Sequence, residues 1–155
     1  MAEQVYDIYW EGPFKWDEKE SKIIKPYHVL YQIYGHHPVY GSNKLLYIGM
    51  TERGIQRINE HDAWVCYECD PMTVRVGSLG KFTNWADWEK PGHYGKADRK
   101  IVEKIEALLI YAHQPSYNAT NKSSAEEKSR DIRVFNSGTF GQLLPELSYT
   151  YYFGE

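Results

Sequence analysis

At 155 residues, with 42% hydrophobic and 25% charged side chains, the chain is the size of one ordinary domain and carries enough apolar mass for one core. A formal charge of −3 and a pI near 6.1 exclude whole-molecule attraction to nucleic acid, so contact with a polyanion requires a local cationic patch or a metal ion. Met1 to Trp10 carries Glu3 and Asp7 without a basic start, and no run approaches the roughly 20 apolar residues that cross a bilayer, so the expectation is a cytoplasmic protein with no membrane partner.

In chain order, Gln4 to Trp10 is rich in β-branched and aromatic residues and predicts a strand that Gly12-Pro13 stops. Residues 15–25, KWDEKESKIIK, intersperse both charge signs and read as a solvated loop. Val29 to Tyr34 and Lys44 to Ile48 are apolar-aromatic runs separated by Gly35, Pro38, Gly41, Ser42 and Asn43, the pattern of a β-hairpin with a long loop. Thr51 to Val65 then predicts a helix, on which Arg57 and His61, four apart, project from one face.

Met72 to Leu79 alternates Met72, Val74 and Val76 against Thr73, Arg75 and Gly77, as a half-buried strand does. Gly80 to Gly95 combines glycine with Trp85, Trp88, His93 and Tyr94. It reads as an ordered insertion, either a lid over the core or a surface that stacks on bases. Asp98 to His113 is the clearest helix: Ile101, Ile105, Leu108, Leu109 and Ala112 form a stripe, and Pro115 marks the end. Asn121 to Arg130 is polar surface, and Ile132 to Phe135 and Tyr149 to Phe153 predict strands on either side of a turn-rich stretch. Cys66 and Cys69 make a single CYEC spacing with no second pair to complete a zinc site, so two reduced thiols are expected.

Glu106 departs from the pattern of its helix. It borders the apolar stripe, sharing a face with Val102, Leu109 and His113, where a carboxylate is costly unless it meets a cation or donors. Lys100 and Lys104 point elsewhere, and Arg99 lies about two turns away. A site for a metal is one explanation, and a salt bridge to Arg57 is the other.

Tyr31, Tyr47-Ile48-Gly49, Arg57 ten residues after Tyr47, His61 one turn later, Glu106 on a helix and Asn118 twelve residues beyond form an ordered set that resembles the GIY-YIG nuclease domain, over about 28–118. The resemblance implies a small α/β (α+β) domain with a three-stranded antiparallel sheet flanked by helices. Extra N- and C-terminal strands would extend it, with the insertion at about 80–95 and a C-terminal extension over 119–155. It implies hydrolysis of DNA phosphodiester bonds with one divalent metal. Two departures stand out: Val29-Leu30 precede Tyr31 where the family has Gly-Ile, and Met50 stands three residues after Tyr47, where many members have a lysine near the phosphate.

Phosphodiester hydrolysis needs an activated water, neutralisation of the phosphoryl oxygens and help for the leaving oxygen. Glu106 offers a hard oxygen ligand for Mg²⁺ or Mn²⁺, and Arg57 a planar, permanently charged phosphate clamp. Tyr31 or Tyr47 would orient or deprotonate the water, assisted by positive charge because a free phenol titrates near 10. His61 would assist that proton transfer, and Asn118 would hold the site in register. One such site cuts one strand, so a double-strand cut requires a homodimer or two successive events. The alternative is a nuclease-derived nucleic-acid-binding module whose catalysis is weak or lost.

Overall fold

The computed structural model describes residues 3–22, 27–52, 55–68, 71–95, 97–122 and 131–154. The class is α+β, built on one six-stranded sheet. The strands are β1 (Gln4–Lys15), β2 (His28–His37), β3 (Gly41–Met50), β4 (Thr73–Lys81), β5 (Ile132–Gly138) and β6 (Glu146–Ser148), in the order β3-β2-β4-β1-β5-β6. Each neighbouring pair is antiparallel except β1 and β5, which run parallel.

The long hairpin forms as its turn residues predict. Gly41 at φ +93° and Asn43 at φ +53° take the positive backbone angles that the connection needs. The N-terminal strand runs past the expected stop. Gly12 adopts φ +128°, and the register against β4 shifts between Glu11 and Phe14, so Pro13, which lacks a backbone donor, falls in a bulge where none is required.

Helices cover both faces. The long α5 (Arg99–His113) is capped by Asp98, whose side chain accepts the Lys100 N–H, and closes on Gln114 at φ +50°. It buries Val102, Ile105, Leu108 and Leu109 against Leu30, Ile48, Trp10 and Val134 of the sheet. On the opposite face, Tyr31, Ile33, Leu46, Val74 and Val76 form a second core with Ile58 and Val65.

Ile58 and Val65 belong to two short helices, α2 (Ile55–Asn59) and α3 (Asp62–Val65), where one helix over 51–65 was expected. The break has a local cause. Glu60 and His61 donate to Arg57 and Ile58 over three-residue steps, which tightens the turn and swings His61 inward to 7% exposure, while Arg57 stays at the rim.

Residues 15–25 also differ from a solvated loop. A 3-10 turn (Trp16–Glu18) leads into α1 (Lys19–Lys22), and Lys19 is buried, 3.2 Å from Asp62 and 4.7 Å from the Trp16 ring centre. That segment is therefore clamped to α3. Residues 23–25 of this stretch lie outside the described residues, as does most of Asn121 to Arg130.

The C-terminal stretch Tyr149–Phe153 is helix α6, not a strand. Ser148 caps it by accepting the Tyr151 N–H, and Tyr152 and Phe153 pack on Tyr111 of α5 at 5.7 and 4.6 Å between ring centres. The aromatic density that suggested β propensity is spent on a helix–helix contact.

The stretch from Gly80 to Gly95 is ordered and contains α4 (Trp85–Trp88). Its anchor is Asp7 of β1, buried at 7% exposure, which accepts from Trp88 Nε1 at 3.2 Å and from the Tyr94 hydroxyl and pairs with His93 Nε2 at 2.7 Å. Gly80 makes room, since a Cβ there would lie 2.3 Å from His93 Nε2. Trp85 remains 73% exposed. Cys66 is exposed and free, and Cys69 lies outside the described residues. Among the described residues, no helix is long and apolar enough to cross a membrane.

Candidate active site

The site is built around edge strand β3 and its neighbour β2. Tyr31 on β2 is fully buried in the second core, and its ring lies over Gly49, where a Cβ would come within 2.3 Å of Tyr31 Cζ. Only glycine at position 49 leaves that space, which gives the third residue of Tyr47-Ile48-Gly49 a steric reason. Tyr47 is partly buried and stacks on Tyr31 with ring centres 6.0 Å apart.

His61 closes the cluster. Its Nε2 lies 2.7 Å from the Tyr31 hydroxyl, and its ring sits 4.5 Å from that of Tyr47. Burial, followed by the charge of Arg57, lowers the His61 pKa to about 4, so the imidazole is neutral at physiological pH. Trp64, one turn on, donates its indole N–H to His61 Nδ1 at 2.8 Å.

Arg57 stands at the rim with its guanidinium 2.6 Å from Glu60 and acts electrostatically on both tyrosines. Burial pushes the Tyr31 and Tyr47 phenols above their ordinary range, and the Arg57 charge works against that in each. In Tyr47, the neighbouring Tyr31 and Arg57 side chains also work against that rise.

Glu106 reaches this group from α5 by passing the end of the edge strand, where its carboxylate accepts the Met50 backbone N–H. Burial raises its pKa to about 7, against the pull of Met50 and Arg57. Arg57 is bridged to Glu60, so the salt bridge that competed with a metal as the explanation for Glu106 is absent among the described residues.

Asn118 does not face the cleft. Its side-chain amide pairs with both backbone groups of Ile48, accepting the N–H and donating to the carbonyl, each at 2.9 Å, while Tyr117 N–H bonds Leu46 O at 2.8 Å. The 117–118 segment thus acts as a short substitute strand on the open edge of β3.

Tyr31, Tyr47, His61, Arg57 and Glu106 therefore converge, and Asn118 holds the strand between them. Two contributors escaped the sequence reading. Trp64 lies three residues after His61, a helical spacing that could have marked it, whereas the Met50 contribution is a backbone N–H and leaves no trace in residue identity.

Glu60 is engaged by Arg57, which leaves Glu106 as the carboxylate that acts on both tyrosines, and among the described residues no group of three or more His, Cys, Asp or Glu side chains is placed to hold a metal. Glu106 alone suits a hard cation that keeps most of its water and takes its remaining ligands from a phosphate. No family model, curated protein or solved structure matches the chain.

Proposed function

We propose that this chain is a metal-dependent DNA endonuclease, hydrolysing phosphodiester bonds at the cleft between Tyr47, Arg57 and Glu106, in keeping with its resemblance to GIY-YIG nucleases. The observation that carries the reading is the meeting of two stacked tyrosines, a neutral histidine, an arginine and a half-buried carboxylate around one strand end. Four of these groups come from separate elements, β2, β3, α2 and α5, and His61 from the turn before α3; burying so much polar function together costs stability, which a functional role explains. The antiparallel run β3-β2-β4 with α5 packed on it also supports the reading.

In this reading Glu106 would hold a Mg²⁺ or Mn²⁺, which would supply charge neutralisation for the phosphoryl oxygens. Arg57, already turned towards the tyrosines, takes a second phosphate oxygen by exchanging part of its bond to Glu60. Of the two tyrosines it is Tyr47, partly exposed where Tyr31 is fully buried, that orients the attacking water and accepts its proton, the electrostatics of Arg57 offsetting part of the cost of the phenolate. His61, neutral and buried, fixes the Tyr31 hydroxyl. A cut of both strands would be made by a homodimer or by two events at one site.

The second reading is a nuclease-derived DNA-binding module. Met50 favours it: where a lysine would add charge beside the phosphate, this side chain packs against the apolar core. A plasmid-nicking assay with Mg²⁺ or Mn²⁺ separates the two. The enzyme reading expects nicking by the wild type and loss of at least a hundredfold in Glu106→Ala, of the order found when a positioned catalytic group is removed. Equal activity of the two proteins, with DNA binding retained by both, leaves the binding module.

A further inference from the structure

We infer that Trp64 is a positioning residue of the proposed active site, holding His61 as the tautomer with its proton on Nε2 so that His61 donates to Tyr31 instead of accepting from it. The inference deepens the nuclease reading and rests on it for its catalytic consequence, though not for the tautomer itself.

The geometry is directional. An indole N–H can only donate, so the 2.8 Å contact from Trp64 Nε1 makes His61 Nδ1 an acceptor. A neutral imidazole then carries its one proton on Nε2, which lies 2.7 Å from the Tyr31 oxygen. The Tyr31 oxygen is thereby the acceptor, and its own hydroxyl proton is released to serve another partner. Tyr47 is the phenol stacked beside it, with ring centres 6.0 Å apart. The donors run in one sense, Trp64 to His61 to Tyr31.

Burial prevents reversal. Tyr31 is fully buried and His61 nearly so, and no solvent reaches the Tyr31–His61 bond to supply substitute protons. Trp64 is itself fixed, edge-on to Tyr117 at 5.3 Å and to His61 at 5.7 Å, beside the segment that pairs with β3. The consequence for mechanism is specific. His61 cannot take a proton from Tyr31 in this state; it assists by stabilising negative charge that develops on the tyrosines.

The test is a long-range ¹⁵N–¹H correlation spectrum of the whole ¹⁵N-labelled chain at neutral pH, with the His61 signals identified by their loss in His61→Gln. A protonated Nε2 and a bare Nδ1 are expected. Trp64→Phe keeps the ring and removes the donor; it should mix the two tautomers and lower kcat for plasmid nicking with Mn²⁺ between about ten- and a hundredfold at unchanged KM, the size of a misplaced catalytic group. A wild-type His61 protonated on Nδ1 overturns the inference, as does a Trp64→Phe protein whose His61 spectrum and kcat both match wild type. Absence of nicking in the wild type with the Nε2-protonated form present overturns the nuclease reading and Trp64's catalytic part in it, while the tautomer assignment stands.

Discussion

The side chain of Asn118 and the backbone of Ile48 form a closed pair, two hydrogen bonds of 2.9 Å that satisfy an edge strand with a side chain in place of a neighbouring strand. Because Asn118 is only 6% exposed, Asn118→Leu leaves a buried donor and acceptor unpaired, at about 1–3 kcal/mol for each group. The variant should be less stable by about 2–6 kcal/mol. The Ile48 amide should also lose hydrogen-exchange protection; an Ile48 amide as slow to exchange as in the wild type would show that the pair does not hold the strand.

Gly49 is a steric requirement of Tyr31. In Gly49→Ala the new methyl group would lie 2.3 Å from Tyr31 Cζ and 2.4 Å from its hydroxyl, and the ring, buried and bonded to His61, has no room to withdraw. A loss of about 1–3 kcal/mol is expected, as for overpacking elsewhere, with displacement of the Tyr31–His61 bond. Gly41→Ala is the control: its Cβ meets nothing within 4 Å, so only the strain of φ +93° is paid. Thermal unfolding of the two variants, with the His61 ring signals as a local reporter, distinguishes contact from strain.

The pH dependence of stability has two opposed contributions. His61 titrates near 6.5 when unfolded and at about 4 when folded, so the unfolded chain binds the extra proton between those values. Stability from this group is therefore lost as pH falls from about 6.5 to 4. Glu106 behaves in reverse. It titrates near 4.5 unfolded and about 7 folded, so the folded chain binds the extra proton, and stability is lost as pH rises from about 4.5 to 7. Across the shared range the two offset one another in the wild type. Urea titrations should show Glu106→Gln gaining relative to wild type as pH rises through that window, and His61→Gln gaining as pH falls through its own.

Metal binding at Glu106 should compete with its proton. Millimolar Mg²⁺ or Mn²⁺ is expected to raise the wild-type melting temperature more at pH 8 than at pH 6, because below about 7 the carboxyl retains its proton. Glu106→Gln should show no metal-dependent rise at either pH. An equal rise in the variant would place the cation elsewhere.

The aromatic segment beyond β4 hangs on Asp7, which holds Trp88, His93 and Tyr94 together. Asp7→Ala removes the acceptor from three donors at once and should cost about 3 kcal/mol or more, given about 1–3 kcal/mol for each buried donor left unpaired. Limited proteolysis should then cut within 84–95 while the remaining core stays protected. Unchanged resistance would mean that packing alone keeps the segment in place.

Much of this molecule was legible in residue order. The hairpin announces itself through Gly41 and Asn43 between two apolar runs, and α5 through its stripe and the Asp98 cap, because these signals are local and act within a turn or two. The spacing that drew attention to Tyr31, Tyr47, Arg57, His61, Glu106 and Asn118 likewise marks residues that lie together or brace those that do. Other features depended on partners far along the chain. Tyr149–Phe153 is helical because Tyr111 receives its aromatic face, and Lys19 is buried because Asp62 and Trp16 meet it. The sequence by itself determined which chemical groups the site contains and the class of fold that carries them. Only the tertiary structure decided how those groups are protonated and paired. The burial of His61 and Glu106, the indole bond that orients His61 and the Met50 backbone donor all arise from packing between distant segments, and hydrogen-bond direction and desolvation have no counterpart in spacing.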